Sequence, residues 1–245
     1  MHKWIKQVFI FIVIILFNHA VLAKDDGTCH PLVNSHCPQY IIAYGSLMES
    51  NSKKATDNSS GKNKPVWVEH YQRGWFAKGL SDSFSTTYLG VIKSKHAHFN
   101  GTIFNLPTAH SFKNYDMREK YYCRVLVSPH DIHLLTGKKL PRGQFWIYEL
   151  KPELLAPPST HYPLVESYVD IFLAGCLEIE EKYHIRNFTV ACINTTSDWS
   201  VHWVNDRIYP RRPWTYQPRA LKIDALLQQQ IPEFFQQIKL EPYAA

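Results

Sequence analysis

The pattern of apolar and polar positions changes character several times along the chain. At the N-terminus, Lys3 and Lys6 precede ten unbroken apolar residues, 8–17, and Val21-Leu22-Ala23 follows. This order of basic, apolar and cleavage-site segments predicts a secretory signal cut after Ala23. Ten apolar residues fall short of the roughly 20 that a membrane span needs, and Asn18 and His19 interrupt any extension. The next apolar run, QYIIA at 39–43, ends in Tyr44-Gly45-Ser46-Leu47, which predicts a strand closed by a tight turn. Residues 48–65 are polar and rich in Asn, Ser and Lys, and predict an exposed loop beside that turn.

From 66 to 106 the runs are short and rich in β-branched and aromatic residues (VWVEHY, STTYLGVIKS, HFNGTIFNL). They are punctuated by Gly74, Gly79, Gly90 and Gly101, and predict strands. A short helix or turn is expected within 109–120, then strands at YYCRVLV and GQFWIYEL. Beyond Pro163 apolar residues recur three and four apart, predicting one helix over 164–183. FTVACI (188–193) reads as a strand, and the tail 220–238 as a helix kinked at Pro232. The sum is an α+β fold: a small mixed, barrel-like sheet with flanking helices and a C-terminal helical extension from about 184. The expected organisation is a signal at 1–23, an arm at 24–38 and one domain over 39–245.

Composition narrows the class. The chain has 245 residues, 45% hydrophobic and 14% aromatic, which suffices for an ordinary core. The net charge of +6 is scattered rather than gathered into a basic stripe, so nucleic acid is not an expected partner. All five cysteines follow the signal segment. In an exported chain, Cys29 and Cys37 most simply pair to staple the arm. A Cys2His2 cluster with His30 and His36 is the alternative, although its ligands crowd closer than usual zinc spacing. Asn58, Asn100, Asn187 and Asn194 lie in N-x-S/T sequons.

The common catalytic signatures are missing. There is no G-x-S-x-G elbow, no H-E-x-x-H and no phosphate-binding loop, and nothing calls for a metal or a cofactor. What remains is a turn offering backbone N–H groups, and the acidic segment NYDMREKYYCRV. In it, Asp116 and Glu119 stand three apart on one helical face, where pairing with Arg118, Lys120 or Arg124 is the plain expectation.

YGSLM at the end of the first strand, followed some seventy residues later by YDMREKYYCRVLV, resembles the γ-glutamylcyclotransferase superfamily, with its AIG2-like and ChaC-like branches. Asp116 and Glu119 keep the spacing of that family's second motif, and Tyr168 precedes Gly175 by seven residues, as a substrate-facing tyrosine does in some members. Leu47 as the fourth residue of the turn favours the AIG2-like and ChaC-like branches. The resemblance implies a small mixed barrel with flanking helices, and conversion of a γ-glutamyl amine or peptide to 5-oxoproline plus free amine. It implies Glu119 as general acid/base, and Tyr44, Gly45, Ser46, Leu47 and Tyr168 as the substrate-binding set, for a small-molecule partner and without a cofactor. A free glutamate near pKa 4.3 matches poorly with an amine near 8, so burial is expected to raise Glu119. The signal implies an exported protein, periplasmic or secreted. Two other readings remain open: a non-catalytic small-ligand module of the same fold, and an interaction protein using the Trp- and Arg-rich segment 198–214. In that segment Trp203, Asp206 and Arg207 are candidates to close over the pocket and hold a substrate carboxylate.

Overall fold

The computed structural model describes residues 29–79, 85–212 and 218–241. The expected signal and the first residues of the arm lie outside them. The elements in chain order are β1 (Gln39–Ala43), α1 (Ser50–Thr56), β2 (Lys64–Gly79), β3 (Thr86–Leu106), α2 (Phe112–Arg118), β4 (Tyr122–Val127), β5 (Ile132–Leu134), β6 (Gln144–Leu150) and β7 (Leu164–Val165). There follow α3 (Glu166–Tyr183), α4 (Phe188–Asn194), β8 (Thr196–Ser197), β9 (Trp203–Asn205), α5 (Ala220–Gln230), α6 (Pro232–Phe235) and β10 (Lys239–Leu240).

Seven strands form a mixed sheet in the order β4-β6-β1-β3-β2-β5, with β8 added parallel to β2. β1 lies between β3, antiparallel, and β6, parallel. Its Ile41, Ile42 and Ala43 are all buried, which is why the run is continuously apolar rather than alternating. The sheet is α+β in kind, but it does not close: among the described residues β4 and β5 stand at opposite edges with no ladder between them. The runs expected as separate strands over 66–106 are one long hairpin, β2–β3. It bends where its register shifts, between Glu69 and Tyr71 and again between Trp75 and Ala77. His70 sits at the first of these irregularities with φ 65°. A second, three-stranded parallel sheet joins β7, β9 and β10 and ties the C-terminal segment to the start of α3.

Three expectations change. Residues 48–65 are not an exposed excursion, because they hold α1: the Glu49 carboxylate caps it by accepting from Asn51 N and Ser52 N. Lys53 anchors it below, donating to Asn63 Oδ1 at 2.8 Å and to Gly61 O. FTVACI is helix α4, not a strand; its buried Phe188, Cys192 and Ile193 recur at helical spacing and face the core. The Cys29–Cys37 staple is absent as well. Cys29 bonds Cys123 on β4, Cys176 on α3 bonds Cys192 on α4, and Cys37 is free. With Cys29 in a disulfide, the Cys2His2 alternative falls. His96 and His98 lie exposed on β3, as surface-strand histidines. Among the described residues, no helix is long and apolar enough to cross a membrane.

Candidate active site

The turn after β1 is held from three sides. Tyr44 Oη donates to Tyr148 O on β6 at 2.6 Å. Tyr44 O accepts from Arg73 Nη1 at 3.4 Å. Arg73 is fully buried and, among the described residues, has no carboxylate partner. Its donors go instead to Asn100 O, Asn100 Oδ1, Cys192 O, Thr195 Oγ1 and Thr196 Oγ1, binding β2, β3 and α4 beneath the turn. From Ser46 the chain enters a single 3-10 turn, Ser46–Met48, closed by Met48 N donating to Gly45 O at 2.9 Å. Among the described residues no side chain caps its N-terminus. The first N–H groups of such a turn have no helical partner and remain available as donors.

On the third side α3 runs directly against the turn. A Cβ on Gly175 would stand 2.6 Å from Glu49 N and 2.7 Å from Met48 C, so only glycine permits this approach. One Cβ added to Gly45 would meet Tyr168 Oη at 3.1 Å, which fixes how near the turn and this tyrosine come. Tyr168 is buried, edge-on to Tyr88 (5.0 Å between centroids) and to Trp75 (5.9 Å). Burial pushes its phenol up to about 12, against the pull of Arg212, so it serves as a neutral hydroxyl.

Glu119 reaches the same cavity from another element. It ends α2, with its N–H donating to Tyr115 O and its carbonyl accepting from Tyr122 N, both at 2.8 Å. This tight link into β4 aims the carboxylate inward. Tyr44, Gly45, Ser46, Leu47, Glu119 and Tyr168, six residues drawn from three separate parts of the sequence, all line one cavity, completed by Leu89, Tyr122 and Tyr148. That inner space is narrow, about 30 Å³, room for one small polar group. It opens into an outer chamber of about 260 Å³ that shares Ser46, Glu119, Tyr122 and Tyr168.

The Glu119 side chain is 17% exposed, and Arg118 Nε lies 3.2 Å from its Oε1. Burial raises its pKa above the usual carboxylate value, while Arg118 and Arg212 pull it back. The direction is the one expected from the sequence. Arg118 is itself fixed: it donates to Ser46 Oγ at 2.9 Å, to Ser52 O at 2.8 Å and to Thr56 Oγ1 at 2.5 Å. α1 is therefore part of the site's frame rather than a lid over it.

Asp116 does a different job from Glu119. Its Oδ1 accepts from Arg124 Nε at 3.0 Å and from Tyr148 Oη at 2.6 Å, behind the cavity wall. Arg124 also donates from Nη2 to Pro31 O, and from its backbone N to Cys29 O, so the arm is moored beside the Cys29–Cys123 bond.

The C-terminal candidates do not enter the pocket. Trp203 is core, stacked on Trp199 at 5.3 Å. Asp206 accepts from Ser167 N, Ser167 Oγ and Arg211 N, fastening the loop to α3. Arg207 is taken up by Glu166, Asp170 and Asp224. Arg212 is the residue of this segment that reaches the chamber, and sequence reasoning missed it. Its only advance signal was the doubled arginine in YPRRP. Arg73 and Tyr148 were missed as site-forming groups too, whereas the pairing of Glu119 with Arg118 was expected. Among the described residues no cluster of three or more metal-ligating side chains occurs.

No family model matches the chain, and no curated protein matches its sequence. Solved structures do resemble it. A human uncharacterised protein, loc79017, aligns at 13% identity with a TM-score of 0.47, over 66% of this chain and 90% of its own. A γ-glutamyl cyclotransferase aligns at 15% identity and TM-score 0.44, over 60% and 86%. The yeast γ-glutamyl cyclotransferase specific to glutathione gives 12%, 0.42, 66% and 96%, and a mouse AIG2-like protein 19%, 0.34, 52% and 89%. The solved structures that this chain resembles in fold thus include γ-glutamyl cyclotransferases and an AIG2-like protein.

Proposed function

We propose that the protein is an exported γ-glutamylcyclotransferase-like enzyme, which converts a γ-glutamyl amine or peptide to 5-oxoproline and the free amine. The observation that carries this reading is the meeting of Glu119 with the Tyr44–Leu47 turn and Tyr168 around one cavity. The substrate's α-ammonium gives a proton to Glu119 and its nitrogen attacks the γ-carbonyl carbon. The N–C bond of the five-membered ring forms, and the tetrahedral oxyanion lies against the turn's N–H groups and the neutral Tyr168 hydroxyl. Collapse breaks the γ-amide bond as Glu119 returns this proton to the departing nitrogen; Glu119 then takes the second proton from the ring nitrogen and passes it to the released amine, which leaves as an ammonium ion. No water is consumed and no group is left on the enzyme. Both reacting groups belong to one molecule, so the site contributes mainly by holding them in the attacking conformation.

A carboxylate raised by burial sits closer to the amine's pKa than a free glutamate does, and this supports the acid/base role. Two disulfides support export, because such bonds persist in oxidising compartments. The test is release of 5-oxoproline from a panel of γ-glutamyl compounds, comparing the protein with Glu119→Gln. Release that is lost in a folded variant supports the reading. No release from any member of the panel overturns it in favour of a ligand-binding module.

A further inference from the structure

Three arginines of one loop meet different fates. Arg207 is satisfied by Glu166, Asp170 and Asp224, and Arg211 by Glu241. Arg212 pairs with no carboxylate among the described residues, and its Nε is buried without a hydrogen-bond partner there. A buried, unpaired guanidinium N–H is costly. The arginine is nonetheless held in place: its Nη1 donates to Tyr88 Oη at 3.1 Å, and its guanidinium lies 4.9 Å from the Tyr88 ring centroid and 5.7 Å from that of Tyr168. Its backbone N donates to Ser167 Oγ at 3.3 Å, beside the Asp206 anchor. This is a pre-positioned fork with a donor to spare.

Its position identifies what it reads. Arg212 lines the outer chamber and not the inner cavity against the turn, with Glu119 on the boundary of the two. The outer chamber also holds Arg118 and Lys120, so cations outnumber its single carboxylate. On the cyclotransferase reading, the ring-forming γ-glutamyl end faces the turn and Glu119, and the leaving amine extends outward. We infer that Arg212 is a specificity-determining residue that binds a carboxylate on the leaving amine. The favoured substrates are then γ-glutamyl amino acids or peptides, rather than γ-glutamyl alkylamines. A guanidinium presents two parallel N–H groups to a carboxylate, and a neutral alkyl group leaves them unmet.

This inference rests on the proposed function, and a binding experiment separates the two. γ-Glutamylalanine and γ-glutamylethylamide share one skeleton and differ by the carboxylate of the leaving part. Their affinities for Glu119→Gln, measured by calorimetry with and without Arg212→Ala, are expected to differ by about 10- to 100-fold in favour of γ-glutamylalanine only where Arg212 is present. A preference that survives Arg212→Ala overturns the inference. Equal weakening of both ligands overturns it too, since the arginine would then read the shared α-carboxylate. Failure of γ-glutamylalanine to bind with Arg212 intact has the same effect. The Arg212-dependent preference, found in a protein whose Glu119 form releases no 5-oxoproline from γ-glutamylalanine, would sustain the arginine's role and sink the cyclotransferase.

Discussion

Arg118 donates from Nη2 to Ser46 Oγ at 2.9 Å while its Nε stands 3.2 Å from Glu119 Oε1, so one guanidinium spans the two halves of the site. Replacing it by alanine removes both the brace on the turn and the charge that holds the Glu119 pKa down. We expect Arg118→Ala to lower kcat/KM for 5-oxoproline release by about 10- to 100-fold, the scale of one charge-assisted hydrogen bond. The acid limb of its pH profile should move to higher pH. An unmoved limb would mean that Arg118 acts on the frame alone.

For the unaltered protein, the acid limb of kcat/KM should lie above the ordinary glutamate value of about 4.3. The sign follows from the proposed role: as the base, Glu119 would have to be ionised to accept the substrate's proton, and burial raises its pKa. A limb at or below the ordinary value would exclude Glu119 as the base.

Gly175 gives a stability test close to the site. A Cβ there meets the backbone of Met48 and Glu49, which cannot rotate aside as a side chain can. Gly175→Ala should cost about 1–3 kcal/mol in denaturant unfolding and reduce activity further by displacing the turn. A variant as stable as the parent would show that α3 can slide away from it.

Glu166 makes a pH prediction remote from catalysis. It is buried beside Asp170 and Arg207, and burial, with Asp170 adding to it, raises its pKa to about 8. The folded state therefore holds its proton more tightly than the unfolded state. Its contribution to stability is complete below about pH 4.5 and is lost as pH rises towards 8, with a slope of at most about 1.4 kcal/mol per unit. Glu166→Gln should flatten the pH dependence of unfolding free energy across that window. An unchanged slope would assign the dependence to Asp170, which is raised as well.

The legible parts of this chain were those specified by local pattern. β1, the strands of the long hairpin, β6 and α3 follow from apolar runs that are buried along much of their length, and the turn and Glu119 followed from a spaced pair of motifs. What escaped was set by tertiary partners. FTVACI has β-branched residues yet is helical, because Phe188, Cys192 and Ile193 find buried partners at helical spacing. The polar 48–65 segment was ordered by the Glu49 cap and the Lys53 anchor, neither of which has a periodic signature. Arg73 and Arg212 are ordinary basic residues until the fold places one in the core and the other at the chamber.

Cys29→Ser with Cys123→Ser should lower the unfolding free energy by about 2–5 kcal/mol, as expected for a long cross-linked loop. Mild reduction of the parent should loosen the arm that Arg124 holds and should cut activity. Undiminished stability in the double variant would leave the mooring to Arg124 and its hydrogen bonds.

The same bond has a consequence for how the chain first matures. Cys29 must find a partner 94 residues away, while the free thiol of Cys37 stands only eight positions off. Chain statistics favour the near encounter by roughly 40-fold. Before β4 has joined the sheet, the first oxidation product should therefore be the wrong, local ring. Correct maturation then requires that ring to be reopened by thiol exchange, which makes Cys37 a kinetic competitor for the native bond.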